Sequence, residues 1–255
     1  MRILGLETSC DDTAAAVVDD GVQVLSSVVA SQDELHERFG GVVPEIACRA
    51  HIESLLPGVR EALDRADTDL DDIDAVATTT TPGLIGALLI GVTAAKALSW
   101  AMDVPLVAVN HLQAHIYGAW LGEQEPATPA LSLVVSGGHT SLYITKGPLS
   151  HERLGDTVDD AAGEAFDKVA KILGLGYPGG PAIEKAAREG DARAVDFPRT
   201  WLDQDSSDFS FSGLKTAVLY HCVGKNASKK DLENVSFSRD FICDVSASFQ
   251  EAVVD

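Results

Sequence analysis

A pattern of strand, polar turn and strand occurs twice in this chain and constrains its fold more than any other feature. The first copy, ILGLETSCDDTAAAVV, begins at residue 3, and the second, ALSLVVSGGHTSLYIT, begins at residue 130. Apolar and β-branched residues flank each polar turn, as in β-hairpins. The turns can be laid over each other in register, although the internal repeat is weak. We therefore predict two domains, residues 1–126 and residues 127–255, each long enough to bury a core.

Strands and helices alternate through the rest of the first half. IDAVATTTT has the pattern of a buried strand, and the glycine- and alanine-rich residues 82–102 are typical of a closely packed, buried helix. VPLVAV predicts the next strand, and HLQAHIYGAWL begins the helix after it. This alternation indicates an α/β fold with a partly parallel sheet.

Residues 84–102 come closest to the length of a membrane span. Lys96 interrupts them and small residues dominate, so we expect a buried helix and no membrane partner. The chain begins with the strand-like RILGLE and has no signal-peptide pattern, which predicts the cytoplasm. The four cysteines contain no C-x-x-C pair and are typical of reduced thiols.

The chain is strongly acidic. It has 39 acidic residues against 19 basic ones, a formal net charge of −20. A protein that neutralised nucleic-acid phosphates by itself would be expected to carry a basic face. Binding of nucleic acid would therefore need a partner or a local basic patch. Adaptation of the host to salt is another explanation of the acidity.

The two polar turns, TSCDD and VSGGH, could bind an anion. Backbone amides of such a turn can point at a ligand, and glycines let the main chain approach phosphate closely. Two such turns facing across a cleft would grip a nucleotide. The alternative is a pair of ordinary hairpins, because short glycine turns are weak signals.

The loop GYPGGP leads into a helix that we expect to start at Pro181. Proline suits the first helical turn, where free amides and the helix dipole favour an anion. Asp167 and Glu184 flank this loop, and carboxylates in such places bind ribose hydroxyls. The alternative for each is an ordinary solvated charge on a helix.

His111 and His115 are four residues apart on the helix that follows VPLVAV. That spacing puts both rings on one helical face, where they can bind a single metal ion, although such pairs also arise by coincidence. A zinc peptidase of the H-E-x-x-H type needs a glutamate after the first histidine, and this chain has Leu112 there. The pair can hold a metal but lacks the peptidase base.

Several stretches, in this order, resemble the TsaD family, once called glycoprotease or O-sialoglycoprotein endopeptidase. The resemblance covers essentially the whole chain, and HERFGGVVPE is typical of its bacterial or organellar branch. The stretches are GLETSCDDT, HERFGGVVPEIACRAH, TTTPGLIGALLIG, VNHLQAH, LVVSGGHTSLY, GDTVDDAAGEAFDKVAKILGLGYPGGP and DFSFSGLKT.

The resemblance implies the α/β superfold of actin, Hsp70 and the sugar kinases, with two RNase H-like lobes around a nucleotide cleft. It also implies an acyltransferase that moves threonylcarbamoyl from threonylcarbamoyl-adenylate to N6 of adenosine 37 in tRNAs reading codons that begin with A, releasing AMP. Its implied partners are tRNA and TsaB- and TsaE-like subunits.

The resemblance also assigns residues. His111 and His115 match two ligands of an iron or zinc ion, and Asp11 matches an acid near the reacting group. The residues that match substrate-binding positions are Val134, Val135, Ser136, Gly137, Gly138, Asp167, Gly180 and Glu184.

The family pattern continues, beyond the position that matches residue 255, to a glycine-rich loop and an aspartate that is the third metal ligand. Neither is in this chain, so we expect an incomplete second lobe. A non-catalytic scaffold of the same complex, and a sugar kinase or ATPase of the same superfold, are the competing hypotheses.

Overall fold

The computed structural model describes residues 1–121, 127–200, 202, 205–225 and 235–255. The chain divides into two compact units, Met1–Ala127 and Thr128–Asp255. The predicted boundary at residue 126 lies in the range 122–126, outside the described residues.

Unit 1 is built on a five-stranded sheet with the order β3-β2-β1-β4-β5. The first three strands form an antiparallel meander, while β4 is parallel to β1 and β5 is parallel to β4. The predicted α/β fold with a partly parallel sheet is therefore confirmed. The strands are β1 Arg2–Glu7, β2 Asp12–Asp19, β3 Gln23–Ser31, β4 Ala75–Thr81 and β5 Leu106–Asn110.

The core of unit 1 lies between this sheet and its long helices. Leu4 and Val76 from the sheet pack with Leu55 and Val59, which lie four residues apart on one face of α2. The helices are α1 Asp33–Glu37, α2 Pro44–Arg65, α3 Ile85–Met102 and α4 His111–Gly118, with a 3-10 turn at Leu70–Asp72.

The prediction that α3 is a buried helix is wrong in extent. Its buried residues form one stripe of small side chains, Ala87, Gly91 and Ala95. This stripe faces the rest of unit 1, since a Cβ added at Gly91 would overlap the Thr8 hydroxyl. Ile85 and Trp100 remain 86% and 87% exposed. The small residues let α3 pack closely against β4 and α2, while large side chains outside this stripe remain exposed.

By length and composition, α3 is also the one helix among the described residues that could cross a membrane. The core helix of a soluble protein passes the same test, so this finding is weak evidence. The absence of a membrane partner remains a prediction.

Unit 2 begins with a similar meander, and the described elements that follow it are helices. Its sheet has the order β6-β7-β8, with both pairs antiparallel. Its core contains Val169, Ile183, Val218 and Phe249, contributed by four helices. The elements are β6 Ala130–Val135, β7 Thr140–Gly147, β8 Ser150–Asp156, α5 Ala162–Leu173, α6 Gly179–Ala187, α7 Ser212–Val223 and α8 Arg239–Val254.

Two adjacent aspartates fix α7 against the rest of unit 2. Asp159 Oδ1 accepts the backbone N–H groups of Phe211 and Ser212, at 2.9 and 3.2 Å, where α7 begins. Asp160 forms ion pairs with Lys168 and Lys215, at 2.8 and 2.6 Å. The motifs VDDAAGEAFDK and DFSFSGLKT therefore meet in space through hydrogen bonds and charge pairs.

Candidate functional site

The candidate metal site of unit 1 lies where its three parallel strands end. β1 ends at Glu7, β4 at Thr81 and β5 at Asn110, and each is followed by a polar loop or a helix. Ligand sites in parallel α/β sheets form at the carboxyl ends of the strands, because the following loops meet there.

Asn110 explains why α4 starts at the first histidine. Its side-chain oxygen accepts the backbone N–H groups of Leu112 and Gln113, at 3.0 and 3.1 Å. This is an N-cap, which satisfies amides that have no partner inside the helix. The cap places His111 at the first helical position and His115 one turn later, on the same face.

The two imidazoles converge through the same type of nitrogen. His111 Nε2 and His115 Nε2 are 3.1 Å apart, and the ring centroids are 4.4 Å apart in an edge-on arrangement. Two imidazole ligands of a tetrahedral zinc ion, each at about 2.0–2.1 Å, have nitrogens about 3.3 Å apart. The pair therefore fits two ligands of one ion.

The protonation of His115 also suits a metal. Burial, and then the neighbouring His111, lower the pKa of His115, which favours the neutral imidazole that binds metals. Within the described part of the chain, no group of three or more His, Cys, Asp or Glu could hold an ion. The described residues thus supply a two-histidine site.

Glu7 belongs to this site, and the sequence analysis missed it. His111 Nδ1 lies 3.2 Å from Glu7 Oε2, which also accepts the Thr79 hydroxyl at 2.5 Å. Glu7 Oε1 accepts the backbone N–H of Ser9. Burial by itself would raise the pKa of Glu7, but the hydrogen bonds from His111, Ser9 and Thr79 lower it to about 2. The available signal was its position as the last residue of the first strand, directly before the polar turn.

Asp11 lies in the turn between β1 and β2, two residues after Ser9. Ser9 Oγ is 3.1 Å from His111 Nδ1, so the turn that carries Asp11 reaches the histidine pair. The buried His51 of α2 holds the same turn, with its Nε2 3.0 Å from the Cys10 carbonyl oxygen.

The candidate anion site of unit 2 is the turn between β6 and β7. Ser136 closes it, because its backbone N–H donates to the His139 carbonyl at 2.8 Å and its Oγ accepts the His139 N–H at 3.1 Å. A Cβ added at Gly137 or Gly138 would meet no atom within 4 Å. There is therefore open space beside both glycines, while the Gly138 N–H itself donates to Ser136 Oγ at 3.3 Å.

The predicted substrate-binding residues before this turn lie at the end of β6. Val134 is buried at 6% exposure, whereas Val135 is 54% exposed. Their alternation follows from the strand, in which neighbouring side chains point to opposite faces.

Helix α5 connects the turn to the predicted adenylate residues. The Gly163 N–H donates to the Ser136 carbonyl at 3.1 Å, and a Cβ at Gly163 would lie 2.7 Å from that oxygen. Asp167 is one helical turn later, and its Oδ1 accepts the Gly179 N–H at 2.7 Å. The structure thus brings the Ser136 turn, Asp167 and the start of α6 together.

The start of α6 differs slightly from the prediction. The helix begins at Gly179 rather than Pro181, with Pro178 as its N-cap. Proline is tolerated in the first turn because no intrahelical hydrogen bond is lost there. Gly179 packs tightly, with its Cβ position 2.5 Å from Asp167 Cα, while nothing lies within 4 Å of the Cβ position of Gly180.

Glu184 lies on α6, one turn after Gly180. Its Oε1 accepts a hydrogen bond from Arg188 at 2.7 Å, in an exposed pair four residues apart. Glu184 therefore forms a surface ion pair, which is the ordinary arrangement of a solvated charge on a helix.

One solved structure with similarity to the chain bears on the fold. Component A of the (R)-2-hydroxyglutaryl-CoA dehydratase of Acidaminococcus fermentans gives a TM-score of 0.51 at 13% sequence identity. The match covers 100% of this chain and 76% of that chain. At this identity the likeness concerns the fold alone, and it supports the superfold predicted from the sequence.

The comparison with protein families covers nearly the whole chain. The model of the TsaD family, described as tRNA N6-adenosine threonylcarbamoyltransferase, matches residues 23–255. A protein of that description from Anaeromyxobacter sp. (strain Fw109-5) is 54% identical over 254 residues, which cover 100% of this chain and 74% of that protein. One from Dehalococcoides mccartyi (strain CBDB1) is 53% identical over 255 residues, with the same coverage. The chain therefore belongs to the TsaD family, as its motifs predicted.

Proposed function

We propose that the chain transfers a threonylcarbamoyl group from threonylcarbamoyl-adenylate to N6 of adenosine 37 in tRNAs reading codons that begin with A, releasing AMP. The observation that carries this proposal is the match to the TsaD family over residues 23–255. The convergence of His111 Nε2 and His115 Nε2 at 3.1 Å, with Leu112 where a peptidase has its glutamate, agrees with it. Such a pair can hold a Lewis acid for group transfer, and position 112 does not supply the glutamate base of H-E-x-x-H peptidases.

In this proposal, unit 2 binds the adenylate. The lack of side chains at Gly137 and Gly138 leaves room for a phosphate beside the Ser136 turn, where the Gly138 and His139 N–H groups now donate to Ser136 Oγ. Asp167 contacts the ribose hydroxyls, and the hydrogen bond from Gly179 to its Oδ1 fixes the orientation of its carboxylate. Val134, Val135 and Gly180 complete the binding segment, and Glu184 contributes less because it is exposed and paired.

His111 and His115 would hold one iron or zinc ion through their Nε2 atoms. When bound, the ion supplies Lewis-acid polarisation of an oxygen on the donor. The chain's own contribution is geometric: the Asn110 cap sets the start of α4 and thus the positions of both rings.

Asp11 is the proposed acceptor of the proton that the adenine amine loses. Its support is its place in the turn that also carries Ser9, next to His111. The exocyclic amine of adenine is a weak nucleophile, so the positioning of both substrates supplies much of the rate.

The proposed protein partners are a TsaB-like and a TsaE-like subunit, in the cytoplasm. An exposed apolar surface on unit 1 supports a protein partner. Two packed helices, α2 and α3, contribute Ile52, Leu56, Ile85 and Leu89, which are 67%, 59%, 86% and 63% exposed. We assign this α2/α3 face to the TsaB-like subunit, because apolar patches of this kind mark interaction sites.

With a formal net charge of −20, we expect the chain to need its partner subunits to bind tRNA. An acidic chain repels phosphates at long range, so we expect the isolated protein to bind tRNA poorly at physiological salt. The complete complex should bind tRNA through basic surfaces of its other subunits.

The test of function is reconstitution of the chain with TsaB- and TsaE-like subunits, a tRNA transcript and threonylcarbamoyl-adenylate. Mass spectrometry of digested tRNA should detect threonylcarbamoyladenosine, together with AMP in equal amount. The His111→Ala/His115→Ala variant should form neither. Release of phosphate from ATP without tRNA, and no modified adenosine, would instead identify a kinase or ATPase of the same superfold.

The test of the partner surface is an Ile52→Glu/Leu89→Glu variant, which places charge in the α2/α3 face. It should abolish co-elution with the TsaB-like subunit. Val22→Glu, at a 59% exposed position in the β2–β3 turn, is the matched control and should bind normally. Equal binding by both variants would remove the face from the interface.

A further inference from the structure

The Glu7 carboxylate contacts three groups next to the histidine pair. Its Oε1 accepts the Ser9 backbone N–H, and its Oε2 accepts the Thr79 hydroxyl at 2.5 Å and faces His111 Nδ1 at 3.2 Å. These residues come from the ends of all three parallel strands or the segments directly after them. Glu7 lies 104 positions before His111 in sequence, so only the fold joins them.

The contact with Glu7 favours one of the two tautomers of His111. An ionised carboxylate can only accept hydrogen bonds, so a favourable contact at Oε2 requires a proton on His111 Nδ1. In neutral imidazole, the other nitrogen then presents a lone pair. That nitrogen is Nε2, the atom that converges with His115 Nε2.

Ser9 offers the opposite arrangement. Its hydroxyl lies 3.1 Å from the same Nδ1 and can donate as well as accept. If Ser9 donated, the proton would sit on Nε2 and block the metal-facing side. Glu7 opposes this arrangement because its carboxylate would then face the lone pair of Nδ1.

We propose that Glu7 is a positioning residue of the metal site: through His111 Nδ1 it fixes the imidazole tautomer and orientation that expose Nε2 to the ion. This inference rests on the proposed metal function. Thr79 and the backbone of Ser9 hold the carboxylate itself in place. Outer partners of metal-binding histidines act in this way, and their removal weakens metal binding about 10- to 100-fold.

The sharpest variant is Glu7→Gln, which keeps the size of the side chain. The amide oxygen should remain opposite the Ser9 N–H, because a backbone N–H can only donate. The amide NH2 group then faces Thr79 and His111, donates to Nδ1 and moves the imidazole proton to Nε2. The volume is unchanged, but the metal-facing lone pair is lost.

The experiment measures cobalt(II) affinity of the purified protein by visible absorption, in competition with a chelator. Glu7→Gln should bind about 10- to 100-fold more weakly than wild type. Ser9→Ala retains the backbone N–H and should lose much less. Glu152→Gln, which removes an exposed ion pair with Lys146 in unit 2, is the matched control and should bind as wild type does.

Equal affinities of wild type and Glu7→Gln would overturn the inference, as would a larger loss in Ser9→Ala than in Glu7→Gln. A separate outcome concerns the metal site itself. If His111→Ala/His115→Ala binds cobalt like wild type, the histidine site is wrong, and the proposed metal function fails with it.

A second measurement needs no substitution at Glu7 and holds even if that variant does not fold. Nitrogen-15 NMR of metal-free, histidine-labelled protein should show His111 protonated at Nδ1, assigned by loss of its signals in His111→Ala. A His111 protonated at Nε2 would overturn the inference. Because His115 Nε2 lies 3.1 Å from His111 Nε2, a proton on His115 Nε2 would favour the same His111 tautomer, and the spectrum of Glu7→Gln separates the two causes.

Discussion

The two units begin with the same antiparallel meander but differ in what lies beside its first strand. β1 is central in its sheet, between β2 and the parallel strand β4, whereas among the described strands β6 pairs with β7 alone. The burial of the strands also differs, because α2 covers one face of the unit 1 sheet. Leu4 and Leu6 are 0% and 3% exposed, while Leu131 and Leu133 are 70% and 57% exposed.

The difference extends to the chemistry at the strand ends. β1 ends in Glu7, whose carboxylate orders a histidine from the end of another parallel strand. β6 ends in Val135, and the turn after it offers the backbone of Gly137 and Gly138. A parallel sheet collects side chains from several strand ends, whereas the turn of the unit 2 meander has open space beside two glycines. We therefore propose a metal site in unit 1 and an anion site in unit 2.

The largest expected difference is in core stability. Leu4→Ala should lower the free energy of unfolding by about 2–5 kcal/mol, because it leaves a cavity at a fully buried site. Leu131→Ala should change it by no more than about 0.5 kcal/mol, because the side chain is already exposed. Urea unfolding followed by circular dichroism measures both. Similar losses would mean that the outer face of β6 is covered in solution.

The second prediction concerns the acid sensitivity of Glu7. Its pKa is lowered from 4.5 to about 2, so the unfolded chain binds the proton first and stability is lost as pH falls from about 4.5 to about 2. The shift corresponds to at most about 3 kcal/mol. Urea unfolding between pH 7 and pH 2.5 should show a shallower loss in Glu7→Gln than in wild type. Parallel curves would show that Glu7 has no such linkage.

Two glycines, one in each meander, differ in how closely other atoms pack around their backbone. A Cβ at Gly155 of β8 would overlap the Ser207 carbonyl, whereas at Gly5 of β1 the nearest atom is the Ala16 carbonyl oxygen at 3.9 Å. Gly155→Ala should therefore cost about 1–3 kcal/mol by overpacking. Gly5→Ala should have an effect within about 0.5 kcal/mol. The same urea experiment checks both, and a costly Gly5→Ala would contradict the geometry.

An effect of the same size as that of Gly155→Ala is expected at the anion site. Asp167→Asn should weaken binding of a non-hydrolysable adenylate analogue by about 1–3 kcal/mol, because a charged hydrogen bond to ribose is lost while Oδ1 can still accept from Gly179. Glu184→Gln should change the affinity by less than about 0.5 kcal/mol, since Glu184 is exposed and paired with Arg188. Calorimetry gives both values. Equal affinities of wild type and Asp167→Asn would remove Asp167 from the site.

The sequence predicted what depends on local patterns. Alternating strands with polar turns predicted the β1–β2 and β6–β7 hairpins but not the third strand of unit 2, β8, and the four-residue spacing placed His111 and His115 on one face. The contacts of Glu7 and the exposed side of α3 depend on which strands lie next to each other in the sheet. Strands that pair across many residues of sequence leave no local pattern in the amino-acid sequence. The start of α6 was displaced by two residues because prolines occur on both sides of the helix boundary.

The most direct test of this comparison is zinc-edge X-ray absorption of the zinc-loaded protein. The account predicts two imidazole nitrogens at about 2.0 Å, with oxygen ligands in the remaining positions, and loss of the imidazole signal in His111→Ala/His115→Ala. Sulfur ligands at about 2.3 Å, or an imidazole signal that survives in the double variant, would contradict a metal centre at the strand ends of unit 1.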